Sequence, residues 1–590
     1  MKLVTLDFES FWSKEYSLRH LTTEEYCRDP RFKAHLVGYA VDDAPPRWSA
    51  DVDRVIGEIE ALGDVAMLCH HAQFDGLILS HHYDYRPALW LDTLSMARIA
   101  VPHGRHSLDK LGEAFNLGRK GNFLDASYGI RDLTTAQLYA LGEGCIGDVA
   151  RTRALFKVLA PAIPRAELRL IDLTIRMFTE PELVLDRPRL QAEYDRVVAG
   201  KAKLLNELGV TRDELQSAER FATLLSALGV EPPTKASPTD PARRIYAFAK
   251  TDDAMRELAE HPDERVQNLV AARLGVRSTL GETRCERLLE MDGRGALAVY
   301  LRHAGAHTGR WSGGDQLNWQ NFPRGGEIRR SIRAPAGWKI VVGDLAQIEC
   351  RLVNWLAGQW DVVERFAAGA DPYLPIAGQF YGRAITKADK PERQFGKVLE
   401  LASGFGMGPD KFHATAARAG VQISVEEATR AVRLYRDTHR AVQRLWKFAD
   451  TVIATLRAGG SMEWSPMRVA GGIIYLPGGY PLDYRGIKED ETGELSMEVK
   501  PGKWRKLYGA KLVENVVQAL ARVILGESML TIAARGYRIV GTVHDEVLVL
   551  AKGGDAAAKE YVKQDLERQP TWAVGLPLAA EVSEGENYEK

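Results

Sequence analysis

Asp344 follows the apolar run Ile340-Val341-Val342 and precedes a stretch in which Ile348, Leu352, Trp355 and Leu356 recur at helical spacing. The pattern predicts a short buried strand that ends on a carboxylate and then turns into a helix. About two hundred positions later, His544-Asp545-Glu546 lies between two strand-like runs, Arg538 to Thr542 and Val547 to Leu550. That is the pattern of a hairpin with an acidic tip. Each stretch alone has a plain explanation: an Asp that caps the next helix, and a solvated turn. Brought together, two such carboxylates can share two divalent cations roughly 4 Å apart, the usual arrangement for phosphoryl transfer.

Other residues could serve the same chemistry. Arg393, Lys397, Leu401 and Phe405 are spaced by four behind Pro391, which suits the first turn of a helix. Two cations followed by apolar groups make a slot for a triphosphate with a base beyond it; an amphipathic helix with a basic start is the alternative. His307 to Pro323 is rich in turn formers and long amides, including Asn318, Gln320 and Asn321. Such side chains reach base edges and sugars in a minor groove. Further acids gather near the N-terminus. Leu3 to Glu9 reads as a strand on which Asp7 and Glu9 share a face. Asp75 opens an apolar helical stretch after the run Val65 to Cys69, and Asp148 lies one helical turn from Thr152.

The elements that must position these residues span 590 residues, too many for one ordinary domain. Alternating strand and helix patterns run to about Pro161, and mostly helical patterns from Arg165 to about Arg302. The content is 45% hydrophobic and 27% charged, with a formal net charge of -1. That balance argues against a purely electrostatic nucleic-acid binder; positive charge would have to be gathered in a groove and offset by carboxylate clusters. Cys27, Cys69, Cys145, Cys285 and Cys350 form no CxxC pair, so a reducing compartment without structural zinc is expected. No signal peptide is visible before the first strand, and no apolar run is expected to span a bilayer, so no membrane partner is expected.

Asp344-Leu-Ala-Gln-Ile-Glu-Cys-Arg351 resembles motif A of the DNA polymerase I family (family A), and Val543-His-Asp-Glu546 resembles its motif C. The segment Arg393 to Gly408 is similar to motif B, and Thr308-Gly-Arg310 with Asn318-Trp-Gln320-Asn321-Phe-Pro323 to the element beside the primer terminus. The resemblance covers nearly the whole chain. It implies an α/β and α+β multidomain protein: a ribonuclease H-like exonuclease domain (1–161), then a right-hand polymerase. The latter would comprise a connector and thumb (162–302), palm with motif A (303–357), fingers with motif B (358–510) and palm with motif C (511–590).

The resemblance implies a template-directed DNA polymerase with 3′–5′ proofreading, of a bacteriophage-like type, working in the cytoplasm of a bacterial host. Asp344, Asp545 and the Leu345 backbone carbonyl would hold two Mg²⁺, for which Mn²⁺ can substitute, with Glu546 in support. Arg393 and Lys397 would contact dNTP phosphates, with Lys397 as a general acid toward pyrophosphate. Leu401, Phe405, Gln347 and Tyr373 would complete the nucleotide site, and Glu349 would block a ribose 2′-OH, against a single-subunit RNA polymerase. Arg310, Asn318, Gln320, Asn321, Gln518 and His544 would touch primer-template DNA. Replication accessory proteins are possible partners.

Asp7, Glu9, Asp75 and Asp148 match the four metal-binding acids of DEDD exonucleases. Gly144 stands where the family usually has a water-orienting Tyr, Glu143 where a subgroup has His, and His71 where Asn is common. Leu401 and Phe405 replace a usual ring and a usual Tyr.

Overall fold

The N-terminal strand begins as its alternation requires: Val4, Leu6 and Phe8 are buried on one side, and Thr5 and Glu9 on the other. A strand covered on both faces belongs in the middle of a sheet. In the computed structural model, which describes residues 1–118, 127–237, 240, 242–249, 252–259, 261–277 and 280–589, this strand is central. Strands β1 (Lys2–Ser10), β2 (Ala34–Val41), β3 (Arg47–Ser49), β4 (Val65–Cys69) and β5 (Leu89–Asp92) form a sheet of order β3-β2-β1-β4-β5. β1 is antiparallel to β2 and parallel to β4, and β4 is parallel to β5.

Helix α1 (Ala72–His82) follows β4 and α2 (Thr93–Ala100) follows β5, where Asp92 caps α2 by accepting from Leu94 N at 3.3 Å and Ser95 N at 2.9 Å. Helix α3 (Thr135–Leu159) opens on a capping box between Thr134 and Gln137 and packs on β1 and β2. Helix α4 (Arg165–Thr179) buries Leu170, Ile171, Ile175 and Phe178.

A second sheet is organised around β6 (Trp338–Leu345). Its order is β7-β8-β6-β9, with β7 (Arg538–Val543), β8 (Glu546–Lys552) and β9 (Ala580–Gly585), all antiparallel. Ile340, Val341 and Val342 are buried. A Cβ on Gly343 would lie 2.5 Å from Leu566, so only glycine lets the helix Ala558–Glu567 sit this close to the strand. Beyond β6 come α5 (Ile348–Ala357), α6 (Lys390–Ser403), α7 (Val425–Thr438) and α8 (Arg440–Arg457). Phe395, Leu399, Phe412 and Val432 share one core there. From Phe412 to Leu456 the chain runs through three helices, broken between Arg418 and Val425 and at His439.

Helix α9 (Gly509–Ala534) differs from expectation. By length and composition it could cross a membrane, yet 72% of its most apolar window is buried inside the fold. It is a core helix, packed on α4, α5 and α8.

The chain divides into two compact units. Val184–Leu297 packs with Pro323–Arg333 as one unit; Arg165–Leu183 and Ala298–Phe322 pack with the remainder of the chain as another. The cause within the smaller unit is a two-residue ladder, Ile332–Leu185 and Arg333–Val184, which draws the later segment to the earlier one. Its core holds Leu215, Phe221, Leu225, Val266 and Val270. Buried Arg273 lies 4.3 Å from the centre of the Phe221 ring and donates to Leu215 O at 2.5 Å.

In the larger unit, Arg522 of α9 is buried and donates through two nitrogens to Glu167 of α4, at 2.6 Å to Oε2. His303 Nε2 lies 2.8 Å from the same carboxylate, and the guanidinium lies 4.7 Å from the centre of the Trp311 ring. Burial alone would raise the Glu167 carboxyl, but Arg522 and His303 hold it down to about 2. A depressed carboxyl stabilises the fold above its unfolded value and loses that contribution as pH falls toward 2. Glu167→Gln is expected to cost about 3–5 kcal/mol by leaving a buried cation unpaired. Denaturant melts at pH 7 measure this, and the gap between variant and parent should narrow on acidification below pH ~4.5.

Candidate active site

The register of the second sheet brings the two acidic stretches together. Asp344 on β6 pairs with Glu546 on β8, and Leu345 N donates to Asp545 O at 3.1 Å. The turn is shorter than the pattern suggested. It comprises His544 and Asp545, while Glu546 is already the first residue of β8, buried and bonded to the Tyr588 hydroxyl. Tyr588, near the C-terminus, gave no sign of this role in the sequence.

Gln320, expected to touch DNA, is buried and spends its amide on the hairpin. Its Nε2 donates to Thr542 O at 2.6 Å, and its Oε1 accepts from His544 N at 2.7 Å. This bracket holds His544 at a left-handed φ of 56° and aims Asp545 at β6. Asn318 caps the short helix Trp319–Asn321 by accepting from Gln320 N at 3.1 Å; Asn318 and Asn321 are exposed.

Arg310 also sits elsewhere than a DNA contact alone would require. Its Nη2 donates to Glu349 Oε1 at 2.6 Å and to Asp545 Oδ1 at 3.1 Å, bridging the two acids. Burial pushes the Asp545 carboxyl up to about 6, with Glu349 and Asp344 adding repulsion and Arg310 opposing both. Hard oxygen donors crowded at two strand ends suit divalent cations such as Mg²⁺, with Asp344, Asp545 and the Leu345 carbonyl on adjoining positions.

On α6, Arg393 Nε donates to Asp371 Oδ2 at 2.5 Å, and Asp371 Oδ1 accepts from Tyr373 N at 3.0 Å. Tyr373 is buried, with Arg393 lying 5.5 Å from its ring centre. A Cβ on Gly396 would lie 2.3 Å from Tyr373 O, so this glycine sets the close approach of α6 to that segment. Lys397 and Leu401 are exposed on the same side of the helix. Phe405 does not continue that face: α6 ends at Ser403, and Phe405 lies in a turn before Gly406, whose φ is 76°. Gln347, at a φ of 50°, precedes α5, and Gln518 lies 3.5 Å from Glu514 on α9.

The N-terminal acids form a second cluster. One ligand atom each from Asp7, Glu9 and Cys145 lie within 4.8 Å of one another. Phe8 N donates to Asp75 Oδ1 at 3.2 Å, and burial followed by the charge of Asp7 pushes the Asp75 carboxyl up. Asp148, buried on α3, pairs with Arg151. Cys145 is the residue that sequence reading missed; it lies three positions before Asp148, hence on the same helix face. Glu143 is exposed. Beside this cluster, His71 Nε2 lies 3.0 Å from the Tyr300 hydroxyl. His71, Leu94, Arg98, Arg302 and His307 line one side of a cavity of about 610 Å³.

Residues 190–590 match the family described as DNA polymerase family A, and the chain belongs to that family. The DNA polymerase of Bacillus phage SP02 is 25% identical over 685 aligned positions, covering 100% of both chains. The thermostable DNA polymerase I of Thermus thermophilus is 26% identical over 300 residues, 50% of this chain and 32% of that one. The chain thus matches about a third of the length of that bacterial enzyme. Among solved structures, the POL domain of Pol1 from M. smegmatis, in complex with DNA primer-template and dNTP, has a TM-score of 0.69 at 16% identity. That match covers 100% of this chain and 95% of the other.

Because the folded Asp545 carboxyl is raised, its ionisation opposes folding. Metal-free protein is therefore expected to lose stability as pH rises from about 4 through about 6. Thermal melts in a chelator should show Asp545→Asn melting above the parent at pH 8, with the difference shrinking at pH 4.5.

Proposed function

We propose that this protein is a template-directed DNA polymerase that extends a primer 3′-OH with dNTPs and trims mispaired ends with a 3′–5′ exonuclease. The observation that carries the reading is the register of β6 against β8, which sets Asp344 beside Asp545. Membership of family A and a phage relative aligned along the full length support it.

Two Mg²⁺ ions held there would activate the primer oxygen and steady the leaving pyrophosphate. The chain's own groups do the rest. Asp344 and Asp545 supply charge at fixed strand ends, and Tyr588 and Gln320 keep the hairpin from shifting. Arg393, oriented by Asp371, and exposed Lys397 present positive charge to the triphosphate. Lys397 would protonate the leaving pyrophosphate. Glu349 stands where a ribose 2′-OH would intrude. Arg310, which bridges Glu349 and Asp545, would also contact the terminal base pair. Residues 303–357 and 511–590 would act as the palm, 358–510 as the fingers, and 162–302 as the connector and thumb.

For the nuclease, the strand order β3-β2-β1-β4-β5 supports a ribonuclease H-like domain. Asp7, Glu9, Asp75 and Asp148 on three of its elements would bind two further cations. A cavity lined by His71, Arg98, Arg302 and His307 offers positive charge that suits a single strand's phosphates. A phage enzyme of this kind would work in the cytoplasm of a bacterial host, with any accessory proteins supplied by the replication machinery.

Primer extension and 3′-end trimming are measured on the same variants. Asp344→Ala and Asp545→Ala should each lower extension about a thousandfold or more while sparing trimming. Asp7→Ala and Asp75→Ala should do the reverse. Loss of both activities in any one variant would overturn the division of labour. Wild-type protein that leaves 3′-labelled single strands intact with Mg²⁺ or Mn²⁺ would remove the nuclease.

A further inference from the structure

Helix α6 changes character along its buried side. Phe395 and Leu399 pack into an apolar core, but the last turn buries Glu400 and Ser403 instead. These face other buried polar groups. Cys350 and Asn354 come from α5, Tyr435 from α7, and His439 from the break between α7 and α8. Glu400 raises the Cys350 thiol and the Tyr435 hydroxyl, which places it beside both.

The seam is under-satisfied. Asn354 Oδ1, Ser403 Oγ and Tyr435 OH find no hydrogen-bond partner among the described residues. Glu400 Oε2 lies 3.3 Å from His439 Nε2, within ion-pair range but off the line of a hydrogen bond. His439 is itself oriented. Its ring stacks on Tyr435 at 4.1 Å between centres, and its Nδ1 lies 3.2 Å from Tyr435 O and 2.9 Å from Thr438 Oγ1. That pins the ring and aims Nε2 at the carboxylate.

Buried polar groups of this kind cost stability unless they specify an arrangement. The arrangement here joins the helix that presents Arg393 and Lys397 to the helix that carries Glu349, the residue before Cys350. Apolar packing alone would let α6 slide or roll against α5 with little penalty. Glu400, 3.3 Å from His439 and beside Cys350, ties the last turn of α6 both to the break between α7 and α8 and to α5, so a slide or roll would pull these polar groups apart.

Resting on the polymerase reading above, we propose that Glu400, with His439, is a positioning residue for the incoming nucleotide. It touches no substrate. It fixes the last turn of α6, and with it Leu401 and the turn at Phe405, relative to Glu349. The pair therefore sets nucleotide affinity and the choice between deoxyribose and ribose.

The test uses the full chain, with steady-state single-nucleotide incorporation on a primer-template. Glu400→Gln keeps the side-chain shape, and His439→Gln removes the imidazole. Each should raise the KM for dNTP about tenfold, with kcat and primer-template Kd within about twofold of the parent. Selectivity for dNTP over rNTP should fall in both, and the double variant should be no worse than either single. Ser403→Ala, a milder change in the same seam, should raise KM about threefold without lowering the melting temperature by more than a few degrees. Unchanged KM and sugar selectivity in folded variants overturn the proposal. So does a loss in which kcat, KM and primer-template Kd all worsen in step with melting temperature, the mark of a merely structural role. Should Glu400→Gln fail to fold, an unchanged KM in Ser403→Ala overturns it. A parent enzyme that extends no primer overturns the polymerase reading and this inference with it.

Discussion

Crowding like charges at the end of one strand is the constraint around which the larger unit is arranged. Asp344, Asp545 and Glu349 approach one another where burial already penalises ionisation, and the raised Asp545 carboxyl records the tension. The fold tolerates it by three devices. Backbone pairing of β6 with β8 holds Asp344 opposite Glu546, and the Gln320 bracket sets the turn that carries Asp545. Arg310 supplies one positive charge between Asp545 and Glu349. A site that is costly without cations is one in which cations bind with a large gain, because they relieve repulsion that the backbone cannot.

The rest of the unit keeps these strands in place. Glu167, Arg522 and His303 tie α4, α9 and the strand leading to Arg310 into one buried network. A hydrophobic contact would have bound these elements without fixing their rotation. The ion pair fixes it, at the expense of desolvating both charges. The same logic recurs at the end of α6, where Glu400 meets His439. In both places buried polar side chains from separate segments meet, and each time the element so held leads to a residue of the candidate site.

The N-terminal cluster follows a different plan. There the acids come from β1, α1 and α3, and the Cys145 thiol lies beside Asp7 and Glu9. Asp148 pairs with Arg151, three residues along the same helix. Both acidic clusters are assembled across long stretches of sequence: Cys145 meets Asp7 and Phe8 N meets Asp75 in one, and a strand ladder joins Asp344 to Glu546 in the other.

What could be read from the residues follows from local physics. Alternation and apolar runs marked β1, β4, β6 and the β7–β8 hairpin, because side-chain period and burial are local properties of a strand. The spacing of Arg393, Lys397 and Leu401 showed their common face for the same reason. Partners beyond hydrogen-bond reach along the chain were not legible. Nothing near Gln320 announces that its amide brackets residues 542 and 544, nor that Tyr588 reaches Glu546. Phe405 left the expected face because a helix end is decided by competing turns, not by the four-residue count. The sequence by itself determined which side chains could do chemistry and on what local element each would stand. Only the tertiary structure decided which of them meet, since that depends on ladder register and on buried charge pairs between segments hundreds of positions apart, such as Glu167 and Arg522.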